Sequence, residues 1–338
     1  MSAYHYSIII PHKDRPTLLA RLLESIPSRD DIEVIVVDDA SENQETLATV
    51  LMNFDTCFGE LHLVPNLTKN SLGAGWARNQ GLGVAKGEYL LFADSDDSFT
   101  FDAFDYFDHI RLTRSEVELC VFKSDSVRLD GLKSHRTDFT NYLIELASLI
   151  VQAEGTSNLL RQVISKIDPP WAKLIRKSLI DDCNITFEEI MVSDDILFNL
   201  DVIACAKEIG INLQPVYRVL DHTNTLGNTR TKESLRVRLQ ASVRFITELS
   251  KLPFAPKKPI SVSGGYVLNS IDFGGNNLYK NLKYVIKHHA PLIYPWYRYI
   301  YALYFALIGY DTSKIRAYII FGHSIMKYHT KMPLNFSK

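Results

Sequence analysis

Short apolar runs alternate with helical patterns over the first 65 residues, and this alternation limits the possible folds more than any other feature. The apolar runs are Tyr6–Pro11, Ile32–Val37 and Leu61–Val64. Runs of this length without polar alternation are typical of strands that are buried on both faces. Ser41 with Gln44 three residues later predicts a capping box at the start of the second helix. The pattern predicts an α/β fold with a mainly parallel, Rossmann-like sheet, whose ligands bind beyond the C-terminal ends of the strands.

A fourth apolar run, Tyr89–Ala93, ends in the acidic residues Asp94, Asp96 and Asp97. Clustered carboxylates repel one another and resist desolvation unless a cation or hydrogen-bond donors compensate them. Oxygen ligands from Asp94 and Asp96 suit a hard cation, Mg²⁺ or Mn²⁺, which keeps coordination positions open for water and substrate phosphates. The alternative is a solvated turn that caps a helix beginning near Phe101.

A glycine-rich helical segment, Gly73–Gly83, lies between the third and fourth apolar runs. It resembles a dinucleotide-binding G-x-G-x-x-G sequence only loosely, and its position after the third strand argues against that function. Small residues would let this helix lie close to the sheet, which would direct Arg78 toward the acidic edge. The alternative is that Arg78 is an ordinary exposed helix residue.

The composition of the 338 residues, 46% apolar and 22% charged, indicates a globular protein of one large or two modest domains. A net charge of −2 does not by itself indicate a nucleic-acid partner. The four cysteines lack C-x-x-C spacing, which predicts reduced core thiols in a cytosolic protein. The N-terminus has no basic segment before its first apolar run, so we expect no signal peptide.

The C-terminal part of the chain differs in charge, with twelve Lys and Arg residues against two acids from Lys251 onward. Within it, the stretch Ala290–Tyr310 contains six tyrosines and is interrupted by prolines and an arginine, which favours a membrane interface over a membrane crossing. We therefore expect domains at 1–230 and 231–338, and a helical C-terminal extension that contacts anionic lipid through 251–338. The alternative is a helical lid or a dimer surface.

Four segments, in this order, resemble the successive blocks of the family-two nucleotide-sugar glycosyltransferases with the GT-A fold: Ser7–Pro11, Val36–Ser41, Gly75–Leu82 and Gly87–Asp97. The resemblance covers roughly residues 5–225. It implies an inverting, metal-dependent enzyme that moves a sugar from a UDP-sugar to a glycan or an undecaprenyl-type lipid-linked acceptor. Such enzymes build cell-surface polysaccharides, such as O-antigen or capsule, at the inner face of the bacterial cytoplasmic membrane.

The resemblance also implies roles for individual residues. The residues implied in nucleotide-sugar binding are Pro11, His12, Asp14, Asp39, Arg78, Asp94 and Ser95. Pro11 and Asp39 would hold the nucleoside. The metal, Mn²⁺ or Mg²⁺, would be bound by Asp94 and Asp96, with His222 completing its shell. His12 to Asp14 stand where members of the family commonly have Thr-Tyr-Asn.

The family places its catalytic base in an acidic pair that opens a helix, and Asp194 and Asp195 match that pair. The resemblance thus implies that Asp195 is the base, while Asp194 and Trp171 lie on the acceptor side. Acids at a helix N-terminus are also favoured by the helix dipole, which is the alternative for this pair. Arg230 is a further candidate for contact with the phosphates. A buried structural role is the alternative for Trp171.

Two other functions fit parts of the sequence. A nucleotidyltransferase would share the sheet and the metal carboxylates, but it should carry a glycine-rich basic loop after the first strand, where His12–Arg15 contains no glycine. A non-catalytic sugar-nucleotide-binding partner subunit is the second alternative. The presence of Asp94, Asp96 and Asp195 together counts against it.

Overall fold

The computed structural model describes residues 4–68, 70–222, 231–256, 266–267, 269–290, 320, 321, 325 and 328. The chain divides into two compact units, Met1–Thr137 with Asp168–Thr225, and Asp138–Ile167 with Leu226–Lys338. Over the described residues, no helix has both the length and the apolar character that crossing a membrane requires.

The first unit contains a sheet in which eight strands are described, in the order β3-β2-β1-β4-β7-β6-β8-β5. The strands are β1 (Tyr4–His12), β2 (Arg29–Asp38), β3 (Phe58–Pro65), β4 (Gly87–Phe92), β5 (Ser98–Phe99), β6 (Leu119–Arg128), β7 (Lys173–Arg176) and β8 (Ile209–Asp221). Strand β1 pairs in parallel with β2 and β4, and β2 pairs in parallel with β3. Strand β6 is parallel to β8. Strand β7 is antiparallel to β4 and β6, and β5 is antiparallel to β8. The mixed, mainly parallel sheet confirms the predicted fold class.

Helices accompany the strands in the first unit and make up the regular structure described in the second. Those of the first unit are α1 (Pro16–Glu24), α2 (Gln44–Met52), α3 (Ala74–Val84), α4 (Ala103–Thr113), α7 (Lys177–Cys183) and α8 (Asp195–Cys205). Those of the second are α5 (Asp138–Glu154), α6 (Asn158–Ile164), α9 (Lys232–Lys251) and α10 (Gly275–Lys287), with a 3₁₀ turn at Asn269–Phe273.

The core explains why the first apolar run is continuous. Strand β1 lies between β2 and β4, so side chains on both of its faces are buried. On one face of β1, Ile8 and Ile10 pack with leucines of α1. On the other face, α3 comes so close that a Cβ added at Gly81 would lie 2.4 Å from Cγ2 of Ile9. The small residues of α3 therefore allow the close approach that the sequence predicts.

The second unit has its own apolar cluster, in which Leu239 and Val243 of α9 pack with Val267 and with Val285 of α10. Helix α9 begins with a capping box, because the Thr231 side chain accepts from the Ser234 N–H at 3.1 Å while the Ser234 hydroxyl accepts from the Thr231 N–H at 2.9 Å. The predicted interfacial stretch lies outside the described residues except for Ala290. Arg230 lies outside them as well, and so does most of 251–338.

Two local predictions are wrong. Asn43 caps α2 through its side chain, which accepts from the Thr46 N–H at 3.0 Å. Ser41 and Gln44 donate instead to Asp38, because its fully buried carboxylate needs donors. The cysteines are not all core thiols. Cys120 is buried, Cys57 and Cys205 are partly exposed and Cys183 is exposed.

Candidate functional site

The C-terminal ends of β1, β2 and β4 bring the predicted site residues to one edge of the sheet. His12 pairs with Asp38 across β1 and β2, and the Asp39 N–H donates to the His12 carbonyl at 2.8 Å. The Ala93 N–H donates to the Ile9 carbonyl at 3.2 Å, so the acidic turn after β4 leaves the sheet beside β1. Polar segments that are distant in sequence therefore meet there, as parallel strands require.

Arg78 of α3 joins the acidic turn to the start of α8. Its guanidinium donates to Asp94 Oδ1 at 2.7 Å and to Asp194 Oδ2 at 2.5 Å. The side chain is buried, and its carbon CZ lies 5.3 Å from the centroid of the Phe187 ring. Burial works against the charge of Arg78, but the two carboxylates raise its pKa above the ordinary value. Arg78 is thus a charged link between the predicted metal ligand Asp94 and the residue before Asp195.

Asp96 and His222 meet at the same edge, although they are far apart in sequence. His222 Nε2 lies 2.9 Å from Asp96 Oδ2, and Arg15 Nη1 donates to the same oxygen at 2.8 Å. Arg15 Nη1 also lies 3.2 Å from His222 Nε2. The carboxylate and the imidazole therefore converge on a point that the Arg15 cation contacts.

These donors fit the divalent cation that the family resemblance implies. Carboxylate oxygens of Asp94 and Asp96 suit Mg²⁺ or Mn²⁺, and an imidazole nitrogen from His222 favours a transition metal such as Mn²⁺ over Mg²⁺. Burial, followed by the charge of Asp96, raises the pKa of Asp94 despite the neighbouring Arg78. A group whose negative charge is disfavoured in this way is one that a bound cation would stabilise.

Another possible metal-binding group lies elsewhere on the sheet. In the described part of the chain, donor atoms of Glu33, Glu60 and His62 lie within 4.8 Å of one another. They lie on β2 and β3, and Glu33 is five residues before the end of β2. Lys86 donates to Glu60 at 2.8 Å, so ion pairing accounts for part of this cluster.

The acidic turn is anchored to β8. The Asp94 N–H donates to the Tyr217 hydroxyl at 2.8 Å, and Asp97 accepts from the Leu220 N–H at 2.8 Å. Burial raises the pKa of Asp97 well above its ordinary value. Trp171, predicted to contact the acceptor, stacks on Tyr217 with ring centroids 5.2 Å apart. Trp171 therefore lies one ring away from the acidic turn.

Asp39 holds the loop that follows β3. Its carboxylate accepts from the N–H groups of Leu72 and Gly73 at 2.8 Å, from Asn66 at 2.9 Å and from the Ser71 hydroxyl at 2.5 Å. Burial alone would raise the pKa of Asp39, but these donors hold it below the ordinary value. The nucleoside contact of Asp39 stays a prediction.

The other residues predicted to bind the nucleotide lie close by. Pro11 and His12 end β1, and Ser95 is buried in the acidic turn. Both ring nitrogens of His12 are buried without a hydrogen-bond partner among the described residues, and burial lowers its pKa. Asp14, at φ +53°, accepts from the Glu42 N–H at 2.7 Å. The two ring nitrogens of His12 are therefore available to bind a ligand.

Asp195 is the first residue of α8, and Asp194 is its N-cap residue. Burial, followed by the charges of Asp194 and Asp168, raises the pKa of Asp195 to about 8. A carboxyl group whose pKa is shifted toward neutral pH is suited to general-base chemistry. Arg78, which binds both Asp94 and Asp194, thus connects the candidate donor site to the helix turn that carries the candidate base Asp195.

Two residues beside Asp195 were missed in the sequence. Lys173, on β7, donates to the Pro169 carbonyl at 2.6 Å and to Asn199 Oδ1. The Asn199 amide donates to the Asp195 carbonyl at 2.8 Å and to the Asp168 carbonyl. Burial lowers the pKa of Lys173 to about 7. The available signal was a lysine inside the apolar run Ala172–Ile175.

Comparison with known proteins finds similarity to glycosyltransferases. Residues 7–110 match Glycosyl transferase family 2. The chain is 26% identical over 220 residues to a poly(ribitol-phosphate) beta-glucosyltransferase of Bacillus spizizenii, covering 63% of this chain and 32% of that protein. It spans about a third of the length of the first curated relatives that it matches.

Solved structures share the fold. The crystal structure of Staphylococcus aureus TarS 1–349 in complex with UDP-GlcNAc aligns with a TM-score of 0.60 and 20% identity, covering 96% of this chain and 91% of that one. The mannosyltransferase PcManGT from Pyrobaculum calidifontis, in complex with GDP-Man and Mn²⁺, aligns with a TM-score of 0.53 and 16% identity, covering 97% of this chain and 86% of that one. The match over residues 7–110 is therefore to glycosyltransferase family 2, and the fold shared with the solved structures is the GT-A fold.

Proposed function

We propose that the protein is a glycosyltransferase that moves a sugar from a UDP-sugar to a glycan acceptor during cell-wall polysaccharide synthesis. The observation that carries this proposal is the link formed by Arg78 between Asp94 and Asp194. It ties the carboxylates suited to a donor complex to the helix turn that bears the candidate base Asp195. Similarity to proteins solved with UDP-GlcNAc or named for glucosyl transfer supports the donor class.

The donor would bind at the strand ends with a divalent cation. Asp94, Asp96 and His222 are the residues that would hold Mn²⁺ or Mg²⁺. When bound, this cation would supply positive charge to the diphosphate leaving group. His12, whose ring nitrogens have no hydrogen-bond partner in the described part of the chain, would contribute to binding the nucleotide together with Arg78.

Asp195 would accept the proton of the acceptor hydroxyl as that hydroxyl attacks the anomeric carbon. With one base and no second carboxylate assigned as a nucleophile, direct displacement is the simplest course, and it inverts the anomeric configuration. An α-linked UDP-sugar would then give a β-linkage. Because Asp195 must be ionised to act and its pKa is raised to about 8, turnover should rise with pH through about 8 and level off above it.

For the acceptor, we propose a glycan chain that carries phosphate groups. The relative from Bacillus spizizenii is named for transfer to poly(ribitol-phosphate). The second unit of this chain contains a cavity of about 320 Å³ whose lining includes Lys232, Lys280 and Arg236, the last of which donates to Glu233 in the same lining at 2.6 Å. Cationic side chains of this kind suit phosphate oxygens. A lipid-linked acceptor and contact with the inner face of the membrane remain proposals of the same kind.

Hydrolysis of a panel of UDP-sugars, with MnCl₂ and with EDTA, tests this function. We expect at least one donor to be turned over only with the metal. Asp96→Ala should lose both UDP binding and turnover. Asp195→Asn should keep UDP binding but lose about 10²–10⁴-fold in turnover. Asp125→Asn, at an exposed acid on β6, is the control and should behave as wild type.

Each alternative has a distinct result. Turnover by Asp195→Asn at the wild-type rate would remove Asp195 as the base. Binding of UDP-sugars without turnover of any donor would favour the non-catalytic partner subunit. Release of pyrophosphate from a nucleoside triphosphate and a sugar phosphate would favour the nucleotidyltransferase.

A further inference from the structure

Lys173 is a lysine enclosed within the first unit. The residue is 2% exposed, yet it begins a strand whose neighbours Leu174 and Ile175 are apolar core residues. An ammonium group removed from water in this way is unfavourable unless hydrogen bonds and opposite charge compensate it. A methionine would fill the same space without that penalty. Lys173 therefore needs an explanation beyond packing.

The contacts of Lys173 lead to the helix turn that bears Asp195. Its ammonium binds the Pro169 carbonyl and the side-chain oxygen of Asn199, which also lies almost fully buried. The amide nitrogen of Asn199 then donates to the backbone carbonyls of Asp195 and Asp168. Because Asn199 is four residues after Asp195, its bond to the Asp195 carbonyl lies within the first turn of α8.

The amide of Asn199 is oriented by this arrangement. Its oxygen must face the ammonium of Lys173, so its nitrogen must face the two carbonyl groups. An apolar side chain at position 173 would remove the donor that selects this orientation. The Asn199 amide could then rotate, and the Asp195 carbonyl would lose a fixed partner.

We infer that Lys173 is a positioning residue that acts through Asn199 to hold Asp195 where it can accept the proton of the acceptor hydroxyl. The inference rests on the proposed function of Asp195, and it assigns a role to a residue that does not touch the substrate. It also explains why a lysine occupies a buried strand position.

Ionisable groups surround Asp195 on several elements. Asp194 precedes it on the same turn, Asp168 faces it from the segment before β7, Arg78 faces it from α3 and Lys173 from β7. The two acids oppose ionisation of Asp195, while Arg78 favours it. Because burial lowers the pKa of Lys173 to about 7, Lys173 acts on the Asp195 turn mainly through the hydrogen bonds that it donates rather than through its charge.

The first test compares Lys173→Met with Arg176→Met in the full chain. Arg176 is on the same strand and binds Glu88 and the Ser115 carbonyl, away from α8, so its variant controls for loss of a cation on β7. The probe is UDP-GlcNAc, or the panel donor with the highest turnover. We expect Lys173→Met to lower kcat about 10–100-fold, with the KM for the donor unchanged within about twofold. Arg176→Met should change none of these.

A second variant and a second measurement guard against misfolding and against failure of the proposed function. Asn199→Asp keeps an acceptor for Lys173 but removes the donor to the Asp195 carbonyl, so it should lower kcat in the same way. Hydrogen exchange of the peptide that contains 195–199 should be faster in both variants than in wild type and in Arg176→Met.

The outcomes separate the two proposals. If wild type turns over no donor while both variants still show faster exchange in 195–199, the proposed function fails and the structural part of the inference stands. If wild type is active but Lys173→Met matches Arg176→Met in kcat and exchange, the inference is overturned.

Discussion

Replacement of Arg78 by methionine should destabilise the first unit more than any ordinary surface substitution. Arg78 is 5% exposed, and its guanidinium binds Asp94 and Asp194. Methionine keeps much of the apolar stem, so the substitution removes mainly the charge and its hydrogen bonds. Two carboxylates would then lack the cation that compensates them.

The expected loss follows from the exposure of each carboxylate. The Asp194 side chain is 10% exposed, and removal of one partner from a buried ion pair costs about 3–5 kcal/mol. The Asp94 side chain is 36% exposed, so water screens its share. We therefore expect the free energy of unfolding to fall by about 3 kcal/mol at pH 8, near the lower end of that range.

The loss should depend on pH in a defined direction. Burial already raises the pKa of Asp94, and Arg78 opposes that shift. Without Arg78 the folded-state pKa rises further above the unfolded value, so the folded variant gains protons as the pH falls. The stability deficit relative to wild type should therefore be smaller at pH 5.5 than at pH 8.

Urea unfolding of wild type and variants at both pH values measures these effects. Arg218→Met is the control, because the Arg218 side chain is 48% exposed and lies 3.7 Å from Asp125. Its stability should stay within about 0.5 kcal/mol of wild type. The reasoning is refuted if Arg78→Met loses no more stability than Arg218→Met, or if its deficit is the same at both pH values.

Three further substitutions test α3 and the strand β2. Gly75→Ala should destabilise the protein by about 1–3 kcal/mol, because the added Cβ would lie 2.1 Å from the Glu188 carbonyl oxygen. Gly83→Ala in the same helix meets nothing within 4 Å and should stabilise it by about 0.5–1 kcal/mol, with thermal unfolding as the measurement. Asp31→Asn should reduce stability by about 1 kcal/mol at pH 7, since hydrogen bonds from Arg29 lower the pKa of Asp31 to about 2 and its 28% exposure weakens the effect. That stability is present above about pH 4 and is lost as the pH falls toward 2, so a wild-type advantage that persists at pH 2 would contradict the assignment.

The sequence was most informative where a rule acts over a few residues. Strand β1 could be predicted because a strand buried on both faces must be apolar throughout. Pro16 begins α1 because its fixed φ suits the first helical turn. The acidic turn after β4 was recognisable because carboxylates such as Asp94 and Asp96 are unusual directly after a buried strand. Each of these signals is contained in one segment.

Contacts between distant segments could not be predicted in the same way. Arg78 and Asp194 are 116 residues apart, and Lys173 and Asn199 are 26 apart. No local pattern distinguishes such a pair from exposed charges on separate helices. The error at Ser41 has the same origin. A capping pattern cannot reveal that the Ser41 hydroxyl will donate its hydrogen bond to the buried carboxylate of Asp38. Burial, which depends on the whole fold, decides these cases.

Helix α3 explains how the donor edge and the candidate base are held together. Gly75, Arg78 and Asn79 are spaced three and four residues apart, so they lie on one face of the helix. All three contact the segment leading into α8: Gly75 by close approach to Glu188, Arg78 through Asp194, and Asn79 through two hydrogen bonds with the Phe187 backbone at 2.8 and 3.0 Å. The sequence of α3 matched no dinucleotide fingerprint, but its composition fits two structural needs. Its glycines let the helix lie close to the sheet, and its polar residues bind the segment that carries the candidate base. A displacement of α3 would move the partners of Asp94 and Asp194 together, which couples the geometry of donor binding to that of the base.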